Sequence, residues 1–98
     1  MTISELIQAV KEPNLSKQQL ESYRDDLAGL SATLSLEMAE LEKKQALFLD
    51  ASQEDSVAGA SRRWNALPQG LRMIEIKHSL RAVDKIYSSV KSRLYSLF

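Results

Sequence analysis

Between Met73 and Leu97, apolar residues recur in strict 3-4 alternation: Met73, Ile76, Leu80, Val83, Tyr87, Val90, Leu94 and Leu97. A helix with such a seam buries it against another helix, which confines the chain to helical packings. A second stripe, Leu20, Tyr23, Leu27, Leu30, Leu34, Leu41 and Phe48, runs through the first half. It lapses at Glu37 and Lys44, where Met38 and Leu47 are partial substitutes. Two long helices follow, folded back on each other or shared with a second chain, and self-association as a dimer is expected. A full seam serves intra- and intermolecular pairing equally well.

Local signals place the elements. Thr2 followed by Glu5 suits a capping box for a short amphipathic helix over residues 3–11, with Ile3, Leu6, Ile7 and Val10 on one face. Pro13 ends it. Ser16 with Gln19 forms a second capping box, and Leu15 and Leu20 stand where a hydrophobic staple requires them. A helix from Lys17 to near Asp50 would be roughly 50 Å long at 1.5 Å per residue. Gly29 inside it costs about 1 kcal/mol against alanine, so a close approach by another helix is expected there.

Residues 51–70 read as an irregular connection. Ser52 with Asp55 suits the start of a short helix through Val57, Ala58 and Trp64, weakened by Gly59. Asn65 to Gly70 reads as a turn, because Pro68 biases Leu67 away from helix and Gly70 tolerates turn angles. A helix from Leu71 to Leu97 then carries the strict seam. The expected fold is all-α, one domain over residues 1–98: a short N-terminal helix and a long antiparallel helical hairpin with an elaborated connection. No repeat or low-complexity tract interrupts it.

With 98 residues drawn out as rods, the core is thin and apolar surface is left for a partner to cover. The chain has no cysteine, which excludes disulfides and thiolate zinc sites and fits a reducing compartment. The N-terminal stretch lacks a basic region and carries Glu5, unlike a signal peptide. No apolar run approaches the ~20 residues needed to span a bilayer. A cytoplasmic chain without a membrane partner is expected.

Zero net charge conceals a division. Residues 17–55 carry nine acids against four bases, and residues 56–98 carry eight bases against Glu75 and Asp84. The acidic helix can pair with the basic one and set antiparallel register. A hairpin hides only its seam, however, so the basic outer face remains free for an acidic partner or nucleic acid.

Little in the sequence points to catalysis. His78, the single histidine, falls opposite the seam with no cysteine or second histidine to complete a metal site. Asp25-Asp26 and Glu40/Glu42 lie on a helix that needs a polar face, whereas catalytic carboxylates oppose each other across a cleft. No glycine-rich phosphate loop or nucleophile elbow is present. A non-enzymatic chain without cofactor or metal is expected.

The connection carries the more suggestive chemistry. Arg62-Arg63-Trp64 sets two cations beside the only tryptophan. Such a group can stack a base and hold phosphates, anchor a protein interface, or simply close the open end of the hairpin. Leu67-Pro68 in an exposed turn would suit a host prolyl isomerase, since both isomers of an X-Pro bond are accessible and exchange slowly.

With Leu67-Pro68-Gln69-Gly70 preceding a long basic helix in a chain of this size, the sequence resembles the small anti-RecBCD proteins of temperate bacteriophages. The resemblance spans the whole chain and rests on size, helix-loop-helix layout and the loop proline; the family brings no catalytic residue to carry over. It implies a phage protein that binds the host RecBCD nuclease-helicase through its RecC subunit and alters how DNA ends are processed, favouring phage recombination. Arg62, Arg63, Trp64 and Pro68 are then the expected contact region, joined by Leu67. Arg72, Arg81, Lys85 and Arg93 would form an outer face for an acidic surface or DNA.

Two other functions fit the same pattern. A recombination mediator could bind single strands as a helical oligomer, with the heptads as intersubunit seams. An assembly chaperone or coiled-coil adaptor could receive a client helix on its seam. Oligomeric state separates the three.

Overall fold

In the computed structural model, which describes residues 2–52 and 56–97, short hydroxyl side chains start three of the four helices. Helix α1 (Ile3–Val10) begins where Thr2 accepts a hydrogen bond from the Glu5 backbone at 3.2 Å. The expected box is half made, since Glu5 Oε1 accepts from the Thr2 hydroxyl at 3.1 Å and not from its backbone. Helix α2 (Lys17–Ala51) begins with a reciprocal capping box: the Gln19 backbone donates to Ser16 Oγ at 3.1 Å, and the Ser16 backbone donates to Gln19 Oε1 at 2.9 Å. Helix α3 (Val57–Ala66) begins where Ser56 accepts from the Gly59 backbone at 3.0 Å. Each cap satisfies a backbone donor that the helix itself leaves orphaned. Helix α4 (Pro68–Tyr95) starts differently, with a proline in its first turn that has no N–H to satisfy.

The seams meet as expected through Leu94, but α4 ends at Tyr95, and Leu97, the last position of the stripe, is 54% exposed. Leu20, Leu27, Leu34 and Leu41 of α2 are buried against Met73, Ile76, Val83, Val90 and Leu94 of α4 in one continuous core. The two long helices run antiparallel as a hairpin, within a rod of 59 × 20 × 18 Å. At one end α1 inserts Leu6 and Val10 into the core, and Arg93 closes its C-terminus by donating to the carbonyls of Val10 at 2.6 Å and Glu12 at 2.7 Å. A guanidinium there meets both the orphaned carbonyls and the negative end of the helix dipole.

The lapses in the first stripe resolve in two ways. After Leu34 the buried line moves to Met38 and returns at Leu41, so Met38 replaces the missing apolar residue. Glu37, displaced to the flank, is taken by Arg72 of α4. Leu47 does not substitute at Lys44; it is 71% exposed.

Three local expectations are corrected. Gly29 is exposed, and a Cβ there would meet nothing within 4 Å, so no close helix approach explains it. Ser52 closes α2, its hydroxyl donating to the Phe48 carbonyl at 2.9 Å, and does not start α3; Asp55, expected to help, lies outside the described residues. The turn expected over Asn65–Gly70 shrinks to Leu67, which ends α3 and precedes α4 with extended angles of φ −75° and ψ 155°. The same proline that forbids helix at Leu67 suits the first turn of the next helix, so α4 begins at Pro68 and not at Leu71.

Candidate functional site

The sharp elbow between α3 and α4 is built on contact between glycine and tryptophan. The α3 backbone lies so close to Gly70 that a Cβ would stand 1.9 Å from the Trp64 carbonyl oxygen. Gly70 has helical angles and no positive φ, so it is required by close approach and not by turn geometry. The Trp64 ring turns inward. Only 3% of the residue is exposed, its indole N–H donates to Met73 Sδ at 3.2 Å, and its ring lies 5.5 Å from Phe48 of α2. One aromatic side chain thus joins α2, α3 and α4, closing the end of the hairpin.

Of the three readings of Trp64, closure of the hairpin's open end holds, and exposure of the ring as a partner contact is overturned. Its face cannot stack a base or enter a partner's pocket while α3 is docked. The neighbouring Arg62, Arg63 and Pro68 are exposed, and Leu67 is half-buried against the core. The expected contact group therefore divides into an internal brace, Trp64, and an outer set that the brace holds in place.

Two exposed apolar residues extend that outer set. Leu71 is 57% and Ile74 42% exposed; with Pro68 they follow one another at three-residue intervals along the first turns of α4. The signal was present in the heptads: both residues fall off the a and d positions, so the seam cannot bury them.

Arg72 and Arg93 also depart from expectation. Arg72 does not face outward to a partner: its Nε and Nη2 grip the two oxygens of Glu37 at 2.5 and 2.8 Å, and Nη1 reaches Glu75 at 2.7 Å. Hydrogen bonding from Arg72 holds the Glu37 carboxyl below its ordinary pKa against the opposing effect of desolvation, with the guanidinium charge adding to the lowering. The same bond raises Arg72, which stays charged throughout. Arg93 is committed to the end of α1. Arg81 and Lys85 do stand on the outer face, with Lys77 in line, and none of these three forms a hydrogen bond or ion pair with a described residue. Arg81 lies roughly 20 Å along α4 from Pro68 at 1.5 Å per residue, while Lys77 stands one turn beyond Ile74, where the elbow set ends and the ridge begins.

Among the described residues, no cluster of three or more metal-binding side chains occurs, and no helix is long and apolar enough to cross a membrane. The recesses are open grooves along the helices. One, between α1 and α4, is lined by Ile7, Val10, Pro13, Ile86 and Arg93; another, between the long helices, by Ala28, Ser31, Ala32, Val83 and Tyr87. The first sets Lys11 and Glu12, just past α1, opposite Lys85 and Arg93 of α4, with Arg93 already bound to the Val10 and Glu12 carbonyls. The titratable groups of the second, Asp84 and Tyr87, both belong to α4.

The arrangement defines a class, an all-α helical hairpin with one braced elbow and charge sorted onto its long edges. No protein family, curated sequence or solved structure matches the chain.

Proposed function

We propose that this chain is a non-enzymatic binding protein that docks on the host RecBCD nuclease-helicase, through its RecC subunit, and shifts the processing of DNA ends in favour of phage recombination. The cytoplasm of the host is the compartment for that role. Attachment needs no active site; a helical wedge seated on one surface can bias a machine with channels for separated strands.

The observation that carries the docking surface is the exposed line Pro68, Leu71 and Ile74 on a rigid elbow. Protein interfaces centre on apolar anchors ringed by polar groups, and here Arg62 and Arg63 stand nearby on α3. Fixing the elbow in advance reduces the ordering cost of association. Exposure also leaves Pro68 accessible to a host prolyl isomerase, a second partner under this reading.

Size-exclusion chromatography with light scattering tests it, using the protein alone and mixed with purified RecBCD at moderate salt. Co-elution at a defined stoichiometry is expected, and Leu71→Asp with Ile74→Asp should abolish it while leaving helical content intact. Failure of the wild type to co-elute would reject the proposal. A ring-sized oligomer in the protein-alone run would move the assignment to a strand-binding mediator.

A further inference from the structure

The eight bases of the second half are not equivalent once the chain is folded. Arg72 is bound by two carboxylates, and Arg93 caps α1. Lys77, Arg81 and Lys85 are exposed and without a hydrogen-bond or ion-pair partner among the described residues. Lys91 continues the line, its ammonium lying 5.5 Å from the centre of the Tyr87 ring. At 100° per residue these four cations span an arc of about 120° of α4, with Lys91 at the edge toward α2, where it shares a groove with Arg24 and Tyr95. Ser88 and Ser92 occupy the same arc as neutral donors, and Tyr95 stands at its end, 84% exposed.

We propose that this ridge, Lys77 to Tyr95, is a binding site for the sugar-phosphate backbone of a single nucleic-acid strand, with Tyr95 as a stacking platform at one end. The site is distinct from the elbow and does not depend on the RecBCD assignment.

Three observations favour a strand over an acidic protein surface. The first is spacing: Lys77, Arg81 and Lys85 follow at successive turns, about 6 Å apart, a regular row suited to a regularly charged polymer. The second is the absence of an anchor. Between Ile74 and Tyr95, which bound the arc, its positions 77, 78, 81, 84, 85, 88, 91 and 92 carry no aliphatic or aromatic residue, whereas a protein interface is organised around a central buried one. The apolar pair Leu71 and Ile74 lies beyond the ridge, at the elbow. The third is an exposed ring beside cations and hydroxyls, the combination that binds single strands without sequence preference. Asp84 is the one acid within the ridge; Glu75, nearer the elbow, is held by Arg72. Glu12 lines the groove beside Lys85 together with the cations Lys11 and Arg93. The acids of α2 belong to the other long helix, so the chain's zero net charge does not cancel the local field.

The test is fluorescence anisotropy of a labelled oligothymidylate of about 10 nucleotides, titrated with the full chain over a range of salt concentrations. Binding is expected to weaken with a log-log salt slope of about −3, as four neutralised phosphates on a single strand require. The exposed triple substitution Lys77→Gln, Arg81→Gln, Lys85→Gln should weaken binding at least tenfold at low salt, about the loss expected from most of the electrostatic contacts. It should also flatten the slope, with circular dichroism unchanged. Tyr95→Ala should weaken binding without changing the slope. No anisotropy change at low salt, or unaltered binding by the triple variant, would overturn the proposal. So would loss of binding only on Arg62→Gln with Arg63→Gln, or triple-sensitive binding of polyglutamate with none of the oligonucleotide.

Discussion

Gly70 and the Trp64 carbonyl meet so closely that no side chain fits between them: a Cβ on Gly70 would lie 1.9 Å from that oxygen and 2.7 Å from its carbon. Both atoms belong to backbone, so neither can swing aside as a side chain does. The elbow that presents Pro68 and Leu71 therefore depends on one absent methyl group.

Gly70→Ala should force α3 away from α4 and pull Trp64 out of its packing. An overpacking cost of about 2–3 kcal/mol is expected. Chemical denaturation followed by tryptophan emission measures it, and because Trp64 is the only tryptophan, a red-shifted native spectrum would report the opened elbow directly.

Gly29→Ala should have the opposite sign. The position is helical and exposed, with open space where a Cβ would go. Recovering helix propensity should stabilise the chain by about 1 kcal/mol, seen as a higher denaturation midpoint with unchanged m-value.

Arg93→Gln should loosen α1. Two charge-assisted bonds to the Val10 and Glu12 carbonyls are lost, at a cost of about 1–3 kcal/mol. Hydrogen exchange is the appropriate measurement: protection should fall in α1 well before it falls in the hairpin seam.

The Arg72–Glu37 pair should make part of the stability acid-sensitive. The folded-state pKa of Glu37 is depressed, so its contribution is fully present above the ordinary carboxylate range and is lost as pH falls through the folded value. Comparing wild type with Glu37→Gln across pH checks this. The wild type should be the more stable at neutral pH, with the difference shrinking under acid; a constant difference would show that the titrating carboxylate is not its source.

Surface and core are legible in this sequence where the geometry repeats and not where it turns. The seam residues were legible because α-helical periodicity places positions three and four apart on one face. The two capping residues Thr2 and Ser16 were legible because a cap is a contact across three residues. Trp64 was legible only as a choice: beside two arginines it fits a surface anchor as well as a closure of the hairpin. The bend of one residue, tight enough to exclude a Cβ at Gly70, decides for closure by turning the Trp64 ring toward Phe48 and Met73. Arg72 and Arg93 resembled Arg81 in composition, but their partners Glu37 and Val10 lie 35 and 83 residues away in the chain.

The sequence by itself determined the helices, their seam and the division of charge, because each follows from local backbone preference and hydrophobic period. Tertiary structure alone decided which cations are bound and which are free, and which face of the elbow is core and which is surface. Those outcomes depend on contacts between residues far apart in the chain, and a helix carries no information about its neighbours beyond its own apolar stripe.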